Sequence, residues 1–229
     1  MKKILLASTV LVASAGFASA DIAFSGDAYV GIKSIDGGAT WNPVSTASMD
    51  VAMSGETDGG LGFGADFTIT AASLTGSVGA ADIWVSGGFG TVTVSQAGKL
   101  TYEGSFGDAT VTASTVWGSA VYDVEFGYSF GDYSAYLGHN TAGAGTTRAG
   151  GEAVFGDFTV GLDITNVSLA STTWTVSGGY VMGAVSVDVT FNAASAWTLD
   201  GSYDLGGGAS IDGSITSANV IAAGITMTF

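Results

Sequence analysis

Apolar and polar residues alternate along most of this chain. Between Ile22 and Lys33, one set holds Ile22, Phe24, Gly26, Ala28, Val30 and Ile32, and the other holds Ala23, Ser25, Asp27, Tyr29, Gly31 and Lys33. The pattern returns with Leu61, Phe63, Ala65, Phe67 and Ile69 against Gly62, Gly64, Asp66, Thr68 and Thr70, and again with Val185, Val187, Val189 and Phe191 against Ser186, Asp188, Thr190 and Asn192. Successive side chains of a strand point to opposite faces, so each stretch predicts a strand of about ten residues with one apolar and one polar face. No comparable window carries a helical period.

Turn signals separate the strands. Phe106-Gly107-Asp108, Phe130-Gly131-Asp132 and Phe155-Gly156-Asp157 repeat one tripeptide, with looser relatives at Phe89-Gly90-Thr91, Met182-Gly183-Ala184 and Leu205-Gly206-Gly207, and a glycine turn at Asp58-Gly59-Gly60. The repeat runs at about 25 residues, which is two ten-residue strands and two short turns, one β-hairpin. Seven such turns plus two termini enclose eight hairpins. Sixteen strands of about ten residues use roughly 160 residues and leave only short connections. The expected fold is therefore all-β, an antiparallel up-and-down transmembrane β-barrel of 16 strands with short turns and short external loops. If some segments are not strands, 12 or 14 result, since an even number keeps both termini on one side.

Composition narrows the classes. Gly makes up 37 of 229 residues, 47% of the chain is hydrophobic, 11% is charged and one proline, Pro43, occurs. A disordered chain is polar and Pro-rich, so it is excluded. A helical membrane protein needs about 20 consecutive apolar residues, and residues 21–229 hold no such run. Alternating β-structure reconciles a mean hydropathy of +0.44 with the absence of long apolar runs.

The first residues read as a removable leader. Met1, Lys2 and Lys3 form a positive start, Ile4 to Phe17 an apolar stretch, and Ala18-Ser19-Ala20 an A-x-A site before Asp21. That order is a secretory signal, predicting cleavage after Ala20, with 1–20 as signal peptide and 21–229 as a single barrel domain. Removal takes two of five basic residues, leaving Lys33, Lys99 and Arg148 against 20 acidic ones. Such an acidic chain does not suit nucleic acid. An exported chain with no Cys must hold together through an extended hydrogen-bonded sheet rather than disulfides.

The phase of the charges points to a barrel in lipid. Asp27, Asp50, Asp66, Asp82, Glu103, Asp123, Glu125, Glu152, Asp163, Asp188, Asp200 and Asp212 all read onto the polar face of their strands, and Lys33, Lys99 and Arg148 share that phase. A charge on a lipid-facing position costs a few kcal/mol at mid-membrane, whereas one facing a watery lumen costs little. These fifteen residues are the expected pore lining. Aromatics agree: Phe89, Phe106, Phe130, Phe155, Tyr180, Tyr203 and Phe229 cluster beside the tight turns, while Trp117, Trp174 and Trp197 lie near the opposite strand ends in the apolar phase. Two belts match the two interfaces of a bilayer. Trp84 reads onto the polar face and departs from this scheme.

The last strand carries Ile221, Ala223, Ile225, Met227 and Phe229 on one face, and a terminal Phe resembles the signature that barrel assembly machinery reads in Gram-negative outer-membrane barrels. With the A-x-A signal, the acidity and the Phe-Gly-Asp turns, the whole mature chain resembles the general bacterial porin family, most like its alphaproteobacterial members. The nearest local match is Val85-Ser86-Gly87-Gly88-Phe89-Gly90-Thr91-Val92-Thr93-Val94. The resemblance implies a sixteen-stranded barrel in the outer membrane, usually a homotrimer, that contacts lipid and passes small hydrophilic solutes by passive diffusion. It also implies a long third external loop folded inward after the fifth strand. Here the corresponding connection, around Gln96-Ala97-Gly98, is only a few residues, so the constriction loop and the arginine cluster that faces it are missing, and a wide pore with weak size exclusion is expected.

The excess of carboxylates predicts cation preference, because a water-filled tube with low-dielectric walls focuses the field of its lining. Catalysis has little to work with. The single His139 lies beside Asn140 near a strand end, no Ser stands in a distinctive context, and with no Cys a zinc site is not credible, so neither an enzyme nor a metal centre is expected. Acidic turns such as Asp58-Gly59-Gly60 offer oxygen ligands of the kind Ca²⁺ takes, against the commoner solvated turn. The rival reading is a Gly-rich secreted β-solenoid or surface adhesin without a pore. It shares the alternation and acidity but does not need hairpin-period turns, paired aromatic belts or a terminal Phe.

Overall fold

The computed structural model describes residues 21–72, 75–167 and 172–229. The expected signal peptide, residues 1–20, lies outside them.

The described residues form seventeen strands. In chain order they are β1 (Asp21–Ser34), β2 (Asn42–Glu56), β3 (Gly62–Ala72), β4 (Thr75–Val78), β5 (Asp82–Gly87), β6 (Gly90–Ser95), β7 (Lys99–Phe106), β8 (Ala109–Val116) and β9 (Tyr122–Phe130). They continue with β10 (Tyr133–Asn140), β11 (Thr146–Phe155), β12 (Phe158–Val167), β13 (Thr172–Met182), β14 (Val185–Asn192), β15 (Trp197–Gly206), β16 (Ala209–Thr216) and β17 (Ile221–Thr228). Each pairs antiparallel with its sequence neighbour, except that β3 pairs with both β4 and β5. Val78 of β4 stands opposite Ile69, and Asp82 of β5 opposite Asp66, so these two short strands are the halves of one wall element interrupted at 79–81. The sheet closes where β1 meets β17, from Asp27 opposite Thr228 to Ser34 opposite Ile221. The result is a closed antiparallel barrel of sixteen staves, which excludes counts of 12 or 14.

The turns explain why the hairpins are tight. Gly107, Gly131 and Gly156 have φ of 65°, 65° and 64°, each at the first of two residues joining adjacent strands, and the Asp that follows lies outside the left-handed region. A positive φ at the first central position only is the type II′ hairpin, whose twist matches that of the strands and which a side chain at that position would strain. Two turns are shifted from the sequence reading. Residues 88–89 separate β5 from β6, with Gly90 already paired to Gly87, and residues 207–208 separate β15 from β16, with Gly206 paired to Ala209. The seven tight connections share one end of the barrel with both strand termini. The longest described connection at the other end is 35–41, and the one between β6 and β7 is 96–98.

The barrel has almost no hydrophobic interior. Val51, opposite Phe24 and Phe67, is the one buried hydrophobic residue among those described, at 7% exposure. Large apolar side chains such as Phe24, Val30, Phe126, Leu137, Val160 and Ile211 are exposed instead. A water-soluble sandwich or solenoid would pack such residues into a core, so the rival reading loses its physical basis.

Candidate functional site

Directly opposed residues of an antiparallel pair project from the same face, so the pairing register carries a face assignment from stave to stave. Starting at Asp27, opposite Ser48 and Thr228, the assignment passes through Asp50 opposite Thr68, Asp66 opposite Asp82, and Glu103 opposite Thr91 and Thr112. It continues through Glu125 opposite Thr112, Arg148 opposite Gly138, Glu152 opposite Ser134, Asp163 opposite Gly150, Asp188 opposite Asp200, and Asp212 opposite Ser202. Asp123 lies opposite Ser114, Lys99 opposite Val116, and Lys33 opposite Asn42 and Ala222. The walk returns to β1 without a change of phase. All fifteen charged residues lie on one face with Ser, Thr and Asn, and the other face of the strands carries Val, Ile, Leu, Phe, Tyr and Trp.

Three of these charges meet. Arg148 on β11 reaches past β10 to Asp123 on β9, with Nη2 to Oδ1 at 2.7 Å and Nη1 to Oδ2 at 3.1 Å, and its Nη2 also donates to Glu125 Oε2 at 3.3 Å. Asn140 Nδ2 donates to Asp123 Oδ2 at 2.7 Å. Gly138 makes room for the crossing, since a Cβ there would stand 3.0 Å from Glu125 Oε2 and 3.1 Å from Arg148 Nη2. Other carboxylates take hydroxyl donors from adjacent strands, Asp50 from Thr68 at 2.5 Å, Asp27 from Ser48 at 3.2 Å and Asp212 from Ser202 at 2.6 Å, and Asp212 also accepts from Ser210 of its own strand at 3.0 Å. Lys33 and Lys99 make no ion pair among the described residues. Asp66 faces Asp82, and Asp188 faces Asp200, with no cation between them. Directly opposed like charges destabilise a sheet.

Three aromatic residues on the polar face were not among the expected lining. Trp84 donates its Nε1–H to Asp66 Oδ2 at 2.8 Å and lies against Gly62 and Gly64 of β3. Tyr136 donates its hydroxyl to Asp163 and covers Gly150. Tyr29 covers Gly31 and Gly224 on either side of the closing seam. The signal for each is an aromatic in the polar phase set against glycines on its own or a neighbouring strand, which the sequence shows only once the register is known. Tyr29 also borders a cavity of about 310 Å³ with Asp188, Asp200, Asp212, Ser186 and Ser202.

The apolar face carries the aromatic belts. Beside the tight turns Tyr128, Phe130, Tyr133 and Phe155 form a chain of ring contacts with centroids 5.4 to 6.1 Å apart, and Phe158 meets Tyr180 at 4.5 Å. Toward the other end Trp174 meets Phe191 at 5.7 Å. Trp117 follows the last residue of β8 at that same end, opening the connection 117–121, and is 86% exposed. His139 falls on the apolar face near the end of β10, where Nδ1 lies 2.9 Å from Thr147 Oγ1. Among the described residues no three His, Asp or Glu side chains converge on a metal site.

Outside the strands, Asp36 organises the connection 35–41. It accepts hydrogen bonds from Ser34 Oγ at 2.6 Å and from the Thr40 amide at 2.8 Å, and these donors hold its carboxyl down at about 2. Gly37 N–H donates to Asn219 O at 3.0 Å, tying this connection to 217–220.

A closed antiparallel sheet with one uncharged apolar face, one charged face and aromatic belts at both ends is a β-barrel of the outer-membrane class. The model of the Gram-negative porin family matches residues 7–115. The whole fold is similar to solved porins: a triple mutant of the Rhodopseudomonas blastica porin at TM-score 0.79 and 19% identity, a second mutant of that porin at 0.77 and 20%, and a porin refined at 1.8 Å at 0.71 and 19%. Each match covers 91% of this chain and 100% of the other. No curated sequence matches the chain. Residues 7–115 are thus similar to the Gram-negative porin family, and the described chain as a whole has the fold of the solved porins, a multi-pass β-barrel of the outer-membrane type.

Proposed function

We propose that the charged face lines a water-filled lumen through which small hydrophilic solutes and ions diffuse passively, with a preference for cations. The observation that carries this reading is the common phase of twelve carboxylates and three basic residues around a closed barrel, with the guanidinium of Arg148 already engaged by Asp123 and Glu125. Placing that face against lipid would cost a few kcal/mol for each mid-membrane charge, so water belongs there. Low-dielectric walls then concentrate counter-ions along the axis. The connection 96–98 after the fifth stave is too short to fold inward, which supports a wide bore with weak size exclusion. By resemblance to the family, residues 1–20 are removed on export, the strand ending at Phe229 is read by the assembly machinery, and the mature barrel assembles as a homotrimer against outer-membrane lipid.

A planar bilayer holding the purified barrel tests the selectivity. Under a tenfold salt gradient the zero-current potential takes the sign of a cation-preferring pore. The opposite sign, or the absence of any channel conductance, overturns the reading.

A further inference from the structure

The charges of the candidate lumen are unevenly distributed along the barrel axis. At the end that holds the tight turns and both strand termini, Glu56, Asp58, Asp108, Asp132, Asp157 and Asp204 sit in or beside the turns, all exposed. No basic residue accompanies them among the described residues. The middle of the charged face also carries carboxylates alone, including Asp27, Asp163, Asp188 and Asp212. Every basic residue of the described chain lies toward the other mouth. Lys33 is one residue from the end of β1, Lys99 begins β7 after the connection 96–98, and Arg148 follows the connection 141–145 on β11. There they stand against Asp36, Asp82, Asp123, Glu125 and Asp200, three bases against five acids, so that mouth is much nearer neutral than the turn end.

From this we infer that the channel rectifies: it conducts better when cations are driven from the turn end toward the Lys33–Lys99 mouth than in the reverse direction. The inference rests on the reading above, that the charged face lines an open lumen. An acidic section admits cations and turns back anions, whereas a near-neutral section admits both. When cations are driven out of the acidic section, they enter the near-neutral section while anions arrive there from the opposite mouth and cannot leave through the acidic part. Salt accumulates and conductance rises. Reversing the voltage draws both ions out of the near-neutral section, and conductance falls. The effect requires the wall charges to be felt across the bore, so it depends on the Debye length, about 10 Å at 0.1 M salt and about 3 Å at 1 M.

Current–voltage curves of the purified barrel in symmetric KCl test this. Orientation is fixed by Ala144→Cys in the connection 141–145, because the chain has no other thiol and a maleimide-linked protein blocks the pore only from the compartment that this mouth faces. The expected ratio of the two limbs is about 1.5 or more at 0.1 M KCl, with the larger limb when the turn side is positive, falling toward 1 at 1 M. Combining Asp108→Asn, Asp132→Asn and Asp157→Asn lowers the ratio from one end, and combining Lys33→Glu with Lys99→Glu lowers it from the other. Equal limbs in the unmodified barrel at 0.1 M, a larger limb of the opposite sign, or a ratio that neither set of substitutions lowers overturns the inference. The zero-current potential in a salt gradient is read on the same channels. A cation-preferring pore with equal limbs sinks rectification alone, and an anion-preferring pore sinks the reading beneath it.

Discussion

Arg148 holds both oxygens of Asp123 from two strands away, at 2.7 and 3.1 Å, across a position where β10 carries only Gly138. The glycine and the ion pair form one unit, since a side chain at 138 would occupy the path of the guanidinium. Both partners are partly exposed, with side-chain exposures of 30% and 25%, so the pair contributes about 1 kcal/mol or less to stability. Its effect on charge is larger, because it removes the guanidinium and two carboxylates from the list of free wall charges.

Arg148→Gln therefore leaves Asp123 and Glu125 unpaired on the lining. The expected outcome is a stronger cation preference, read as a larger zero-current potential in the same salt gradient, with heat-modifiable gel migration shifted by only a few degrees. Gly138→Leu displaces the guanidinium without removing it. It should lower thermal stability while leaving the charge balance unchanged.

Trp84 and Gly64 provide a test of wall packing. The indole lies against Gly64, and a Cβ at that glycine would meet both the ring and the Met53 carbonyl on the far side. The ring can swing away but the backbone cannot. Gly64→Val is expected to lower the unfolding temperature of the barrel by an amount corresponding to about 1–3 kcal/mol of overpacking. Trp84→Phe keeps the ring contact and loses the Asp66 hydrogen bond, costing about 1 kcal/mol. Equal stability of all three proteins in a gel-shift melt would show that the aromatic does not brace this wall.

Much of this architecture is legible in the chain because a two-residue period is a local property. The apolar set from Ile22 to Ile32 and the Phe-Gly-Asp turns fix strand direction, face and hairpin length without any knowledge of neighbours. The common phase of the carboxylates is legible for the same reason. What cannot be read locally is which residues meet across strands. Trp84 departs from the belt pattern when taken alone and finds its place only when β3 and β5 are set in register, so that Gly64 faces it and Asp66 receives its Nε1–H. The split of one stave into β4 and β5 is equally hidden: Gly79-Ala80-Ala81 contains neither proline nor charge to mark a break, and only the two separate pairings with β3 show it. The engagement of Arg148 by Asp123 spans 25 residues of sequence and has no local signature.

Asp188 and Asp200 face each other across β14 and β15 with no cation between them. Two carboxylates directly opposite cost the sheet a few tenths of a kcal/mol or more, so Asp188→Asn should make the barrel slightly more heat-stable. The same substitution removes a wall charge and should lower the cation preference. A variant that moves both measurements together, stability up and zero-current potential down, identifies the pair as a charge kept at some cost in stability. Stability that falls instead would mean that Asp188 has a stabilising partner in the assembled membrane form.

The connection 35–41 carries a pH dependence whose sign follows from Asp36. Its carboxyl is held at about 2, below the ordinary 3.8, because Ser34 Oγ and the Thr40 amide donate to the ionised form. A carboxyl whose folded value is depressed contributes stability above its unfolded value and loses that contribution as pH falls toward the folded one. The connection should therefore be equally ordered from pH 7 to about 5 and should loosen between about 4 and 2. The protection factor of the Thr40 amide in detergent-solubilised barrel, corrected for the intrinsic exchange rate at each pH, reports this directly. It should fall over that window in the unmodified protein and be low at every pH in Asp36→Ala. A Thr40 amide equally protected at pH 2 and pH 6 would mean that the Ser34–Asp36–Thr40 bonds do not hold this connection.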